Sequence, residues 1–362
     1  MPFRPIESVT VVLLVVVVAG SVSAQSQPRQ MFDRWDKNKD GKLVREELPA
    51  EIRPNFDKAD IDGDGFISIR EHAEYLQRGS RRGASVQGNV EVKRDLSYVP
   101  DGHERHQLDL YLPKAKDQQP DVPASKRPLV IWIHGGAWRA GSKNGCPAGP
   151  LVERGFVVAS INYRLSNHAV FPAQIHDCKA AIRWLRANAD EYGIDAEKVG
   201  VWGSSAGGHL VALLGTSGDV KDLEGDLGNL DQSSRVQAVC DWFGPTDLLL
   251  MNQQAGEFGT MDHDAPNSPE SQLLGGTLQQ VPDKAKRASP LTYVTSDDPP
   301  FLIVHGDQDP LVPWQQSQML TDSLKAAKCK VTFTIVSGAG HGRFKEPQVT
   351  EDSLKFFEDA LE

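Results

Sequence analysis

Residues 199–210, reading V-G-V-W-G-S-S-A-G-G-H-L, constrain the chain more than any other stretch. They contain a G-x-S-x-G box, Gly203-Ser204-Ser205-Ala206-Gly207. A short apolar run at 199–202 precedes the box and suits a buried strand. Residues 206–214 are small and apolar and suit a packed helix. Strand, tight turn and helix in that order is the setting in which such a box presents a nucleophile. The glycines are needed because bulky flanking side chains would clash in so sharp a turn. The turn lifts the Ser205 hydroxyl above the sheet and aims the next backbone N–H, that of Ala206, at the same point. A plain Gly/Ser turn before a packed helix is the competing reading, and the partners found further along decide against it.

The elbow needs a sheet, and the chain supplies one. Residues 90–98 and 106–112 alternate apolar and polar residues, as a hairpin does. Residues 128–134, 156–161, 236–243, 301–305 and 331–336 are further apolar strands. A long helix is expected over 171–192, with Ile175, Cys178, Ile182 and Leu185 at helical spacing. Another is expected at 350–361. Strands alternating with helices predict a largely parallel sheet covered on both faces, with functional groups beyond the strand C-termini.

Three further segments end on that side. His134-Gly135-Gly136-Ala137 follows a strand. Its glycines let backbone N–H groups approach an anion, so Gly136, with Gly135 or Ala137 contributing, pairs with the Ala206 N–H as an expected oxyanion hole. His134 reads as a buried ring fixing that loop. Asp307 and Asp309 follow the next-to-last strand and compete to be the carboxylate that orients a histidine. Asp309 is favoured, with Asp307 capping its own turn. His341 follows the last strand among small residues, placed as a base that reaches both Ser205 and Asp309. His209 is expected to pack against the sheet. Residues 245–290 are polar, lie between two strands, and are expected to form a small cap insertion. Asp241, Trp242 and Asp247 are candidates to line its pocket.

The N-terminal part has a different character. Residues 1–24 fit a secretory signal: Arg4, an apolar run at 9–19, and Val22-Ser23-Ala24 before a cut. The run is shorter than the ~20 residues a membrane span needs. The expected location is therefore secreted or periplasmic, with no membrane span after signal removal. Residues 36–47 fit a twelve-position calcium loop, with ligands Asp36, Asn38, Asp40, the Lys42 carbonyl and Glu47. Residues 60–71 repeat it with Asp60, Asp62, Asp64, the Phe66 carbonyl and Glu71. Gly41 and Gly65 take the sharp-turn position, and Leu43 the position where the two loops pair as a short strand. Two such loops in tandem predict an EF-hand pair at 25–78 that binds Ca2+ in a structural or docking role. Residues 79–89 are polar, basic and Gly/Ser-rich, hence a linker to a domain spanning 90–362. Four cysteines (Cys146, Cys178, Cys240 and Cys329) allow one or two disulfides, and their spacing does not pair them. The formal net charge of −10 argues against a nucleic-acid partner.

Several segments together carry a family resemblance. They are Leu108-Asp109-Leu110-Tyr111-Leu112-Pro113, His134-Gly135-Gly136, Tyr163-Arg164-Leu165 and Phe171-Pro172 with Asp177. The Ser205 elbow, His305-Gly306-Asp307-Gln308-Asp309 with Val312-Pro313, and Gly340-His341-Gly342 complete the set. Over about residues 90–361 the chain resembles α/β-hydrolases of the feruloyl-esterase-like type, near the hormone-sensitive-lipase-type carboxylesterases. The order Ser205, Asp309, His341 is that superfamily's triad order. It departs from the lipase-like pattern in H-G-G-A for H-G-G-G and G-S-S-A-G for G-D-S-A-G. The resemblance implies an α/β-hydrolase fold, here preceded by a small all-α EF-hand pair. It implies a serine carboxylesterase acting on short-acyl or aromatic-acyl esters, acetyl or feruloyl groups on plant-type polysaccharides or their fragments. No cofactor is implied for catalysis. A serine peptidase of the same fold and a calcium-dependent, non-catalytic binding protein are the alternatives. The first usually carries a large extra domain, and the second would lack the triad.

Overall fold

The computed structural model describes residues 32, 34–48, 53, 56–60, 64–69, 71–72, 90–114, 126–342 and 344–361. The expected signal segment 1–24, the expected calcium ligand Asp62 and the expected linker 79–89 lie outside the described residues. The chain divides into two compact units, residues 1–83 and 84–362.

In the smaller unit, β1 (Lys42–Leu43) pairs antiparallel with β2 (Ile67–Ser68). A short helix, Phe56–Ala59, leads into the second acidic loop. Phe32, Leu43, Leu48, Phe56 and Ile67 are buried together. Leu43 and Ile67 are partners across the strand pair, and both enter that core. An all-α pair was expected here, its two loops joined by a short strand at Leu43. Among the described residues the unit is a strand pair with short helical pieces, because the eighth position of each loop is extended to bury its side chain.

The larger unit is built on one sheet. Its strands are β3 (Val90–Ser97), β4 (Gln107–Pro113), β5 (Arg127–Ile133), β6 (Val157–Ile161), β7 (Ile194–Ser204), β8 (Ala238–Trp242), β9 (Phe301–Gly306) and β10 (Val331–Val336). Their order is β10-β9-β8-β7-β5-β6-β4-β3. The strands from β10 to β6 run parallel, and β4 and β3 are antiparallel at one edge. Helices cover both faces, so the central strands are buried on both sides and read as unbroken apolar runs. Successive side chains still alternate between two cores. Leu129, Ile131 and Ile133 pack with helices Ala173–Ala187 and Ala206–Thr216. Val130 and Trp132 pack on the opposite face with helices Pro150–Glu153 and Pro347–Leu361.

Two elements differ most from the sequence reading. The helix expected over 171–192 breaks into Ala173–Ala187 and Ala189–Tyr192. The Asn188 side chain donates to the Trp184 carbonyl at 2.8 Å and ends the first piece. β7 begins at Ile194, five residues before the apolar run. Cys178, Cys240 and Cys329 are thiols. Cys178 lies in one core and Cys146 and Cys240 in the other, with the sheet between them. Residues 245–290 connect β8 to β9 through a short 3-10 turn, Leu248–Leu250, and helices Met251–Gln254, Pro269–Leu274 and Pro282–Ala288. No helix among the described residues is long and apolar enough to cross a membrane.

Candidate active site

The turn after β7 sets the geometry. Ser205 has φ 55° and ψ −122°, a backbone region that costs a non-glycine residue about 1–3 kcal/mol. The turn is held on both sides. Ser205 N–H donates to the Trp242 carbonyl at 2.9 Å, and His209 N–H donates to the Ser205 carbonyl at 2.9 Å. A Cβ on Gly207 would collide with the Ile133 carbonyl, so the helix can only start this close to β5 with glycine there.

Asp309 follows β9, and its side chain is fully buried. Its Oδ1 accepts from the N–H groups of Leu311 (2.8 Å) and Val312 (2.9 Å). Its Oδ2 accepts from His341 Nδ1–H at 2.7 Å, with His305 Nε2 further off at 3.4 Å. Burial alone would raise the carboxyl's pKa. The hydrogen bonds from the His305 and His341 rings and from the Val312 N–H outweigh it and hold the group well below the usual carboxylate range. His341 lies on the loop after β10. Its Nε2 accepts from Ser205 Oγ–H at 2.9 Å, and its ring meets Phe243 edge-on at 4.7 Å. The structure therefore brings Ser205, His341 and Asp309 into one hydrogen-bonded chain. Asp307 is elsewhere: its Oδ1 accepts from Gly338 N–H at 2.6 Å and ties two loops together.

Gly135, Gly136 and Ala137 line the same cavity as Ser205 and His341. Ala206 opens the helix Ala206–Thr216, so its N–H has no carbonyl partner one turn back. Gly136 has φ 115°, and a Cβ there would meet the Ala140 carbonyl. Ala137 and Trp138, both at φ 54°, continue the left-handed path.

Two networks pin this loop. Trp138 Nε1–H donates to His209 Nδ1 at 3.2 Å, and His209 Nε2–H donates to the Ala288 carbonyl at 2.7 Å. His209 therefore bridges segments where it was expected only to pack. In the second network, His134 Nδ1–H donates to the Gly135 carbonyl at 2.7 Å, and its ring stacks on Tyr163 at 4.4 Å. Arg105 donates to His134 Nε2 (3.1 Å), the Gly141 carbonyl (3.0 Å) and the Tyr163 carbonyl (2.7 Å). Burial pushes the His134 pKa down to about 3 and that of His209 to about 4, so both rings stay neutral acceptors. Sequence reading missed Arg105. Its partners lie 29, 36 and 58 residues away, and no local pattern marks it.

The cavity at Ser205 has a volume of about 370 Å³ and apolar walls from Trp132, Pro147, Trp242, Phe243 and Leu311. Trp242 lines it as expected. Asp241 does not: it is fully buried, and its Oδ1 accepts from Gly244 N–H at 2.9 Å. Its Oδ2 has no partner among the described residues, and burial pushes its pKa up to about 7. Asp247 instead caps the Leu248–Leu250 turn through Leu249 N–H.

In the smaller unit, Gly41 N–H donates to Asp36 Oδ2 at 2.9 Å, and Lys42 N–H to Asp40 Oδ1 at 2.9 Å. The Asn38 amide donates to Asp40 at 3.0 Å. Glu47 folds back over its loop, accepting from Lys37 N–H (3.1 Å) and Val44 N–H (3.0 Å). In the second loop, Gly65 N–H donates to Asp60 at 3.0 Å and Phe66 N–H to Asp64 at 2.9 Å. Glu71 accepts from the Ser68 N–H and hydroxyl, both at 2.8 Å. Asp60 Oδ1 is buried with no hydrogen-bond partner among the described residues.

Known proteins share the larger unit. Esterase LipC of Mycobacterium tuberculosis is 33% identical over 235 residues, 61% of this chain and 54% of LipC. The chain spans about half the length of the curated relatives it matches. A truncated carbohydrate esterase from gut microbiota superposes with a TM-score of 0.68 at 37% identity, covering 77% of this chain and 99% of that one. A bifunctional GH43-CE protein of Bacteroides eggerthii gives 0.66 at 38% identity, over 75% of this chain and 38% of its own. The BD-FAE family profile matches residues 108–324, more than half of the sequence. The sheet, the elbow and this match agree: the chain belongs to the BD-FAE family of α/β-hydrolase-fold esterases.

Proposed function

We propose that the chain is a serine carboxylesterase working through Ser205, His341 and Asp309. The observation that carries this is the hydrogen-bonded chain of 2.9 Å from Ser205 to His341 and 2.7 Å on to Asp309, opening on an apolar cavity. Ser205 Oγ attacks the ester carbonyl as its proton passes to His341 Nε2. The carbonyl oxygen becomes an anion held by the N–H groups of Gly136 and Ala206, with Gly135 beside them. Asp309 keeps the proton on Nδ1 and stabilises the imidazolium. The alcohol leaves with the proton from His341. Water, deprotonated by the same ring, then frees the acid from the acyl-serine.

The proposed substrates are acetyl or feruloyl esters on plant-type polysaccharides or their fragments. Likeness to a carbohydrate esterase supports the carbohydrate side, and aromatic cavity walls suit a planar acyl group. The pattern of residues 1–24 supports export. Calcium is proposed for the smaller unit. Asp36, Asn38, Asp40, Glu47 and the Lys42 carbonyl would hold one ion. Asp60, Asp62, Asp64, Glu71 and the Phe66 carbonyl would hold a second. The orphaned Asp60 Oδ1 and the positive φ of Gly41 and Gly65 support that fit. The ion would order the loops or a docking surface and takes no part in the hydrolysis.

The test is hydrolysis of a short acetate ester, methyl ferulate and acetylated xylan, with Ser205→Ala as control. Activity lost in the variant is expected, and the rank of the substrates identifies the acyl group. Activity that survives Ser205→Ala would overturn the assignment.

A further inference from the structure

Away from the cavity, His103, Glu104 and His168 bring ligand atoms within 4.8 Å of one another. His103 and Glu104 lie between β3 and β4, and His168 lies on the loop after β6. The two imidazole rings are 4.7 Å apart. Glu104 and His168 are exposed and His103 is half-buried, so an ion can reach all three from solvent. The proposed hydrolysis uses none of these side chains.

We propose that His103, Glu104 and His168 bind a late first-row divalent cation such as Zn2+, and that occupancy slows turnover by loosening Arg105. Two imidazoles and a carboxylate are a donor set such ions accept. Zn–N bonds of about 2.0–2.1 Å put tetrahedral donors roughly 3.3 Å apart. The cluster must therefore contract by roughly 1.5 Å at its widest, which rotation of the two exposed side chains supplies.

The coupling follows from the ring nitrogens. His103 Nδ1 accepts from Arg105 N–H at 3.1 Å, and His168 Nδ1 accepts from Leu165 N–H at 3.2 Å. A ring bound through Nδ1 has given that lone pair to the cation. A ring bound through Nε2 carries its proton on Nδ1. Either way the acceptor is gone, so the cation and the Arg105 N–H bond exclude each other. The Arg105 guanidinium holds His134 and the Gly141 carbonyl on the oxyanion loop. One residue thus links the cluster to that loop. This coupling rests on the esterase reading, whereas the binding site does not.

The experiment is calorimetric titration of Zn2+ into the tag-free, calcium-saturated chain, beside His168→Gln and Glu104→Gln. Turnover of a short acetate ester is followed in the same buffer. The expected result is binding weakened by about tenfold or more in either variant. Turnover should fall with occupancy in the natural chain only. Equal Zn2+ affinity in all three proteins would overturn the site, and unchanged turnover at saturation would overturn the coupling. If the chain hydrolyses no ester, calorimetry alone decides the site, so the two readings fail separately.

Discussion

Replacing Asp309 by Asn tests the site through a single proton. Oδ1 of Asp309 is committed to two backbone donors, Leu311 and Val312, at 2.8 and 2.9 Å. An asparagine keeps its carbonyl oxygen there. Turning the amide round would leave both N–H groups unpaired, at about 1–3 kcal/mol each. The introduced amide N–H2 therefore faces His341 Nδ1. It donates where Asp309 accepted, so the imidazole proton moves to Nε2. That nitrogen can no longer take the Ser205 proton. Loss of the correct tautomer costs about 10⁴-fold in turnover, or about 5.4 kcal/mol of barrier. The assay is steady-state hydrolysis of a short acetate ester, with circular dichroism to confirm the fold. Asp307→Asn is the control, because Asn still offers an oxygen to Gly338 N–H, and it should stay within a few-fold of the natural chain. Asp309→Asn retaining activity within tenfold, or Asp307→Asn proving the more damaging, would refute the assignment.

The pH dependence of stability gives a second test. The Asp241 carboxyl is pushed up to about 7 in the fold against 3.8 when exposed, so between those values the native state holds a proton that the unfolded chain has released. Its contribution is full below about pH 4 and lost as pH rises to 7. Asp241→Asn should therefore melt higher than the natural chain at pH 8, with the gap closing toward pH 4 in paired thermal scans. Phe357→Ala removes a fully buried ring that packs on Trp202 and should cost about 3–5 kcal/mol in urea unfolding. Gly136→Ala puts a Cβ against the Ala140 carbonyl, and turnover should fall by about 10²–10³ with KM little changed. Calcium chelation, like Glu71→Gln, should lower the melting temperature of the smaller unit and leave short-ester turnover within about twofold.

The elbow was legible because its constraints are local. A strand end, a strained turn and a helix start leave no choice but small residues around Ser205, and the sequence shows them in order. The strands were legible for a related reason: burial on both faces makes them continuous apolar runs. The choice between Asp309 and Asp307 was only partly legible. Two residues of spacing separate them, and what distinguishes them is the pair of backbone donors beyond Asp309 and the distant Gly338 N–H that claims Asp307. Arg105 and the bridging role of His209 were not legible at all. Each acts through partners far along the chain, and neither disturbs the local pattern. The break at Asn188 was hidden by apolar spacing that continues across it. The strand pair of the smaller unit was legible at Leu43, the position at which two such loops pair, and Ile67 answers it in the second loop.

His209 lies one helical turn beyond Ser205 and takes hydrogen bonds on both ring nitrogens, from the oxyanion loop on one side and to the cap helix end on the other. Three segments far apart in sequence are thus joined at one imidazole. Because burial holds that ring neutral down to about pH 4, the join does not loosen over the acidities at which exposed histidines change charge. The loop through Trp138 should therefore keep its place as acid is added. Substitutions in 245–290 that leave the Ala288 backbone in place should then leave that loop where it is.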